Sequence, residues 1–256
     1  KDSVDALRLA DDYEDYSMVL GMLEEGDAAL AAAQNAARWR EQYAPDDKVL
    51  RVRSLQMLAM VVHRAGKDEE AIDMLRQAYR LGIDEAIADI DIRLESAQLL
   101  ASLLATRGDC EEALQVADDG LARAGEELPT DAPAKLPLMR ARALALNACG
   151  RPADAEAVFR AAIALQERVA GGGGSRMMVL TNDLALTLNE LGRYQEAAEM
   201  LSRADKAVAD IGLGKIDKAI SWVNRAGTLE NAGDYEATLK ALDTAIALLD
   251  EDHVEA

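Results

Sequence analysis

Five glycines set the frame for this chain. Gly66, Gly108, Gly150, Gly192 and Gly233 follow one another at separations of 42, 42, 42 and 41 residues. The surrounding chemistry keeps the same register. Seven residues before each Gly stands an Ala (59, 101, 143, 185 and 226), and four before it stands Val62, Leu104, Leu146, Leu188 or Leu229. Five after it come Ala71, Ala113, Ala155, Ala197 and Thr238, and twelve after it Ala78, Gly120, Ala162, Ala204 and Ala245. A period of this length is the signature of a stacked repeat.

Each position has a physical reason. Gly enters the left-handed conformation that ends a helix, which other residues reach only at a cost. A second helix starts directly afterwards, with Asp109 and Asp234 placed as N-caps and Pro152 in a first turn. The small residues let helices approach closely, while Leu75, Phe159, Leu201 and Leu242 fill the space between them. One such unit cannot bury its own apolar faces, so it stacks on its neighbours. The expectation is an all-α superhelix, a solenoid of antiparallel helix pairs.

This pattern resembles the tetratricopeptide repeat (TPR). The runs Leu191-Gly192-Arg193-Tyr194-Gln195-Glu196-Ala197 and Ala232-Gly233-Asp234-Tyr235-Glu236-Ala237 carry the resemblance. The period exceeds the commoner 34 residues and is similar to the long-helix variety of kinesin light chains and bacterial signalling proteins, as is Thr181-Asn182-Asp183-Leu184-Ala185. Arg142 and Arg225 depart from that pattern.

The expected organisation is five repeats over 48–256 behind an atypical helix pair at 1–47. In that first pair the turn is placed at Gly26-Asp27, so Val19 and Arg38 fall on small-residue offsets and the unit reads as a degenerate repeat or cap. Loops are expected at Ala44–Asp47, Leu81–Asp84, Glu127–Pro133, Gly171–Ser175 and Gly212–Gly214. The Gly171–Ser175 run matches a common engineered linker, yet it occupies a normal loop length within the period. After the last helix, Leu242, Ala245, Ile246 and Leu249 are left without a covering helix. Either a further chain segment past Glu251–Ala256 or a homodimer contact would cover them.

Composition narrows the function. The net charge of −19, from 28 basic and 47 acidic residues, argues against phosphate-backbone and anionic-membrane binding. Neither a signal-peptide pattern nor a membrane-length apolar run is present. Cys110 and Cys149 read as unpaired thiols in a reducing, cytoplasmic setting. His63 and His253 lie far apart, and no residue set has the spacing of a metal site, a cofactor site or a catalytic constellation. The chain therefore reads as a non-enzymatic module for a protein or peptide partner.

In TPR proteins the first helix of each pair lines a concave groove, and the resemblance maps that groove onto named residues here. They are Arg53, Gln56, Met60, His63 and Arg64, then Gln98 and Ser102, then Arg140, Leu144 and Asn147. Asn182, Leu186 and Asn189 follow, then Val223 and Asn231. Amides both donate to and accept from a peptide backbone, and in the long-repeat variety an Asn at the place of Asn182 contacts bound peptide. Arg53, His63, Arg64 and Arg140 suit an acidic or phosphorylated peptide, or else lay their stems on apolar helix surface. The alternative is an architectural scaffold that works by its edges and leaves the groove empty.

Overall fold

A computed structural model describes residues 2–84, 87–170, 173–208 and 214–250. Twelve α-helices and one short 3-10 turn account for its secondary structure among the described residues. They form six antiparallel pairs. The pairs are α1 (Asp2–Met22) with α2 (Gly26–Tyr43), α3 (Lys48–Arg64) with α4 (Asp68–Asp84), and α5 (Ile90–Arg107) with α6 (Cys110–Glu127). After the 3-10 turn Pro133–Lys135 come α7 (Leu136–Ala148) with α8 (Pro152–Ala170), α9 (Ser175–Glu190) with α10 (Tyr194–Val208), and α11 (Lys215–Asn231) with α12 (Tyr235–Asp250). The all-α expectation holds. Three pairs belong to a compact unit Lys1–Thr130 and three to a second, Asp131–Ala256.

The turns within the pairs share one hydrogen-bond pattern. At Gly108 the glycine N–H bonds to the carbonyl of Ala105, and the next N–H, of Asp109, bonds back to Leu104. The same two bonds close the turns at Gly66, Gly150, Gly192 and Gly233, each glycine having a positive φ. Such a turn satisfies carbonyls that the helix end would otherwise leave unpaired. Asp234 then caps α12 by accepting from the Ala237 N–H. Asp109 makes no such cap, because Arg107 takes its carboxylate.

The first pair follows the same rule at a different residue from the one expected. Its left-handed position is Glu24, φ 61°, and not Gly26. Glu24 N–H bonds to Gly21 and Glu25 N–H to Leu20, repeating the pattern of the five glycine turns. Glu24 stands 42 residues before Gly66, so the register shifts by two. The offsets then hold Ser17, Leu20, Ala29 and Ala36, all buried. Ser17 donates to the carbonyl of Ala29 across the pair. The pair thus closes with the same turn as the later pairs, at a non-glycine residue.

Packing explains the small residues. Ala71, Ala113, Ala155 and Ala197 are completely buried, as are Ala78, Ala162 and Ala204. A larger side chain there would force the helices apart, at about 1–3 kcal/mol per site. The odd-numbered helices also touch each other, α1 with α3, α3 with α5 and α7 with α9. Ion pairs also join successive pairs: Arg76 on α4 with Glu112 on α6, and Glu156 on α8 with Arg193 in the turn before α10.

Three expectations need correction. Helix α4 continues through Leu81–Asp84, where a loop is expected. Neither Cys110 nor Cys149 is a free thiol, both being disulfide-bonded, so the argument for a reducing compartment loses its basis. On α12, Ala245 is buried and Leu242 half-buried, so the exposed apolar face consists of Tyr235, Leu239, Ile246 and Leu249. Gly171, Gly172, Gly212, Leu213 and Glu251–Ala256 lie outside the described residues.

Candidate functional site

The candidate groove residues occupy the odd-numbered helices, but the structure commits several of them elsewhere. Gln56 on α3 is buried, and its Nε2 donates to Ser96 Oγ at 2.8 Å and to the Ile92 carbonyl at 3.3 Å on α5. It stitches two helices together. Arg53 is exposed, and its charge opposes the burial that raises the Glu95 carboxyl. His63, half exposed, holds Asp68 at 2.7 Å through Nδ1. Arg64 lies over Gly21 of α1, where any Cβ would come within 2.8 Å of its guanidinium. Gln98 donates to Ser102 on the same helix.

In the second unit the amides make a ladder. Asn147 on α7 donates to Thr187 Oγ1 on α9 at 2.8 Å, and Asn189 on α9 donates to Thr228 Oγ1 on α11 at 2.8 Å. Each hydroxyl in turn donates to a carbonyl of its own helix, Asp183 and Asn224 respectively. The donor stands three residues before a turn glycine and the acceptor five before the next. These hydroxyls escape the sequence reading, which weighs amides but not what the period sets opposite them. Glu230 occupies the corresponding donor position in the last pair. Asn231 is one residue out of register and exposed at the end of α11.

Arg140 is likewise engaged. Its Nε donates to Asp183 Oδ2 on α9 at 2.5 Å. Burial pushes the Asp183 carboxyl above its ordinary range, and the Arg140 guanidinium opposes that rise. Of the candidates, Arg140 is therefore not a free cation awaiting a partner's acid.

Asn182 differs from the other amides. It shares the register of Gln56, Gln98 and Arg140, makes no hydrogen bond, and has a buried, unpartnered Oδ1. Exposed Leu186 lies one turn further along α9, and Val223, in the same register on α11, is exposed too. Between α7 and α9 an open cleft of about 260 Å³ is lined by Leu136, Pro137, Arg140, Val179 and Leu180. The first unit has its own cleft of about 480 Å³, walled by Met18, Met22, Met57, Met60 and Arg64. Among the described residues no group of three or more His, Cys, Asp or Glu is placed to hold a metal ion, and no helix is long and apolar enough to cross a membrane.

Comparison with known proteins gives the same architecture. No curated protein matches the sequence. Among solved structures, BtubC (BKLC) from P. vanneervenii superposes with a TM-score of 0.73 at 18% identity, over 90% of this chain and 92% of its own. The TPR-like kinesin light chain repeats of Podosopora anserina give 0.69 at 20% identity, over 82% and 99%. A Rap protein complexed with competence and sporulation factor gives 0.64 at 15%, over 93% and 74%. Residues 135–204 match the tetratricopeptide repeat family. This segment therefore consists of tetratricopeptide repeats, and both units of the chain have the tetratricopeptide repeat fold.

Proposed function

We propose that the chain is a non-enzymatic binding module that holds a peptide or protein segment along the odd-numbered helices, centred on Asn182. One observation carries this reading. Asn182 Oδ1 is without a hydrogen-bond partner on the odd-numbered helix α9, beside exposed Leu186. Both surroundings fit a peptide, whose backbone pairs with the amide while its apolar side chains cover the leucine. The Rap complex with competence and sporulation factor supports use of this fold for ligand capture, and a regulator's binding segment is the setting we favour. Asn147 and Asn189 support the groove from beneath it. A catalytic role has no support from a cluster of acid–base groups: the only two histidines are His63, which is held by Asp68, and His253.

The test is a peptide-display selection against the whole chain, followed by affinity measurements with Asn182→Ala/Leu186→Ala. Selected peptides should lose at least tenfold in affinity, about 1.4 kcal/mol. Peptides that bind the double variant unchanged, or a selection that enriches nothing, would overturn the groove reading.

A further inference from the structure

A cavity of about 310 Å³ opens in the first unit between α2, the segment that follows it, α3 and α4. That volume lies at the small end of the range for small-molecule sites. Pro45, Leu50, Leu55 and Leu58 give it apolar walls, and Arg40, Ser54 and Gln77 add hydrogen-bonding groups.

Arg40 is unusual for its place. It stands sixteen residues after the turn residue Glu24, where the two later pairs of this unit carry Gly82 and Ala124. The side chain is nonetheless buried, at 5% exposure. Its Nη2 donates to Asp11 Oδ1 at 2.8 Å and to Glu14 Oε2, which ties α2 to α1. That accounts for one nitrogen. Nε and Nη1, with three N–H groups between them, are buried and donate to nothing.

Ser54 repeats the observation from α3. It is 6% exposed, and its Oγ is buried without a partner. Ser96, which like Ser54 stands twelve residues before its turn, donates to the carbonyl of Ile92 four residues back. Ser54 leaves the corresponding carbonyl of Leu50 alone. A buried donor without an acceptor is costly, so each one calls for an explanation. Two such side chains on the wall of one cavity share a single explanation.

The charges select the occupant. Arg40 already faces two carboxylates, and among the other lining residues Arg51 is outnumbered by Glu41 and Asp47. An anion would be the third negative group about one guanidinium, in a chain of net charge −19. A cation would meet donors. An uncharged oxygen acceptor has neither fault.

We propose that this cavity binds a small uncharged carbonyl compound, an amide, lactam or ester with an apolar body, whose oxygen accepts from Arg40 and Ser54. The apolar body lies against Leu50, Leu55 and Leu58. The unpartnered atoms are covered in the free chain, so binding includes a local shift of the wall. The site belongs to the first unit, whereas the peptide reading is centred on Asn182 of the second, so either stands without the other.

The experiment titrates the whole chain with cyclohexylacetamide, and with cyclohexylacetate and cyclohexylethylamine, which carry an anion and a cation on the same skeleton. Heteronuclear NMR follows the Arg40 Nε–H signal, which Arg40→Lys identifies by removing it. Cyclohexylacetamide should move the signal saturably, and cyclohexylacetate should bind at least tenfold more weakly. Ser54→Ala should weaken the amide about fivefold through the loss of one hydrogen bond. Ala37→Leu, which fills the cavity from α2, should abolish binding. Far-ultraviolet circular dichroism checks that each variant folds, and Ala37→Met stands in for a leucine variant that does not. The absence of a saturable shift with any of the three probes would overturn the proposal. So would equal binding of the anion, or amide binding unchanged in both variants. An Nε–H that shows a water cross-peak and answers to no probe would overturn it in favour of a bound water.

Discussion

Glu24 holds a backbone conformation that costs an ordinary residue roughly 1–2 kcal/mol and glycine almost nothing. Replacing Glu24 with Gly should therefore stabilise the chain by about 0.5–1 kcal/mol after the added chain entropy of glycine is counted, read as a higher urea midpoint. The converse change, Gly108→Ala, meets no atom within 4 Å of the new Cβ, so its cost is purely that of the backbone, about 1 kcal/mol. The glycine turns are readable from sequence because glycine advertises its conformation. Glu24 does not, which is why the first pair reads as irregular until its hydrogen bonds are seen. Asp183 offers a second test. Its carboxyl is raised by burial, so its favourable contribution is full below the unfolded pKa and is lost as pH rises through the folded value. Removing the opposing cation with Arg140→Ala raises that carboxyl further. The variant should lose about 1–3 kcal/mol near pH 7 and much less near pH 4, the range being reduced because Arg140 is partly exposed. Urea titrations at the two pH values measure it. Asp183→Asn in the same background should recover most of the loss at the higher pH.

Helices were the most legible level, because period, turn glycine and small-residue offsets all point to the same antiparallel pair. The bonds between pairs were not. Gln56 and Asn182 stand in one register, yet Gln56 is spent on Ser96 while Asn182 is unpaired. Both registers place a serine on the next odd-numbered helix, Ser96 on α5 and Ser221 on α11, but the side chain of Asn is one methylene shorter than that of Gln. Thr187 shows what these cross-links contribute. Thr187→Val keeps the shape but removes the acceptor for Asn147 Nδ2, whose own Oδ1 already lacks a partner. Leaving that amide unpaired should destabilise the second unit by about 1–3 kcal/mol, whereas Asn147→Leu/Thr187→Val together should cost less than the single change. A double-mutant cycle from denaturant unfolding decides it.

For the molecule as a whole, charge and thiols give two simple expectations. There are 19 more acids than bases, and the ion pairs between helices are largely exposed, each contributing about 0–1 kcal/mol. Salt weakens those pairs but relieves the larger self-repulsion, so the melting temperature should rise with sodium chloride; a fall would show that the exposed pairs dominate. With both cysteines bonded, an unfolded and unreduced sample should show no reactive thiol, and two after reduction, by colorimetric titration. The amide-to-hydroxyl ladder also reaches beyond stability. Every donor stands three residues before a turn and every acceptor five before the next, so the pieces are interchangeable. Cutting out residues 151–192 would leave Asn147 in the place of Asn189, with Thr228 in reach as its new acceptor. A gene encoding this chain can thus gain or lose a whole repeat in one recombination event and keep the amide-to-hydroxyl bond across the splice, although the Arg140–Asp183 pair is lost with the repeat. A protein with unique joints between its parts does not have that freedom.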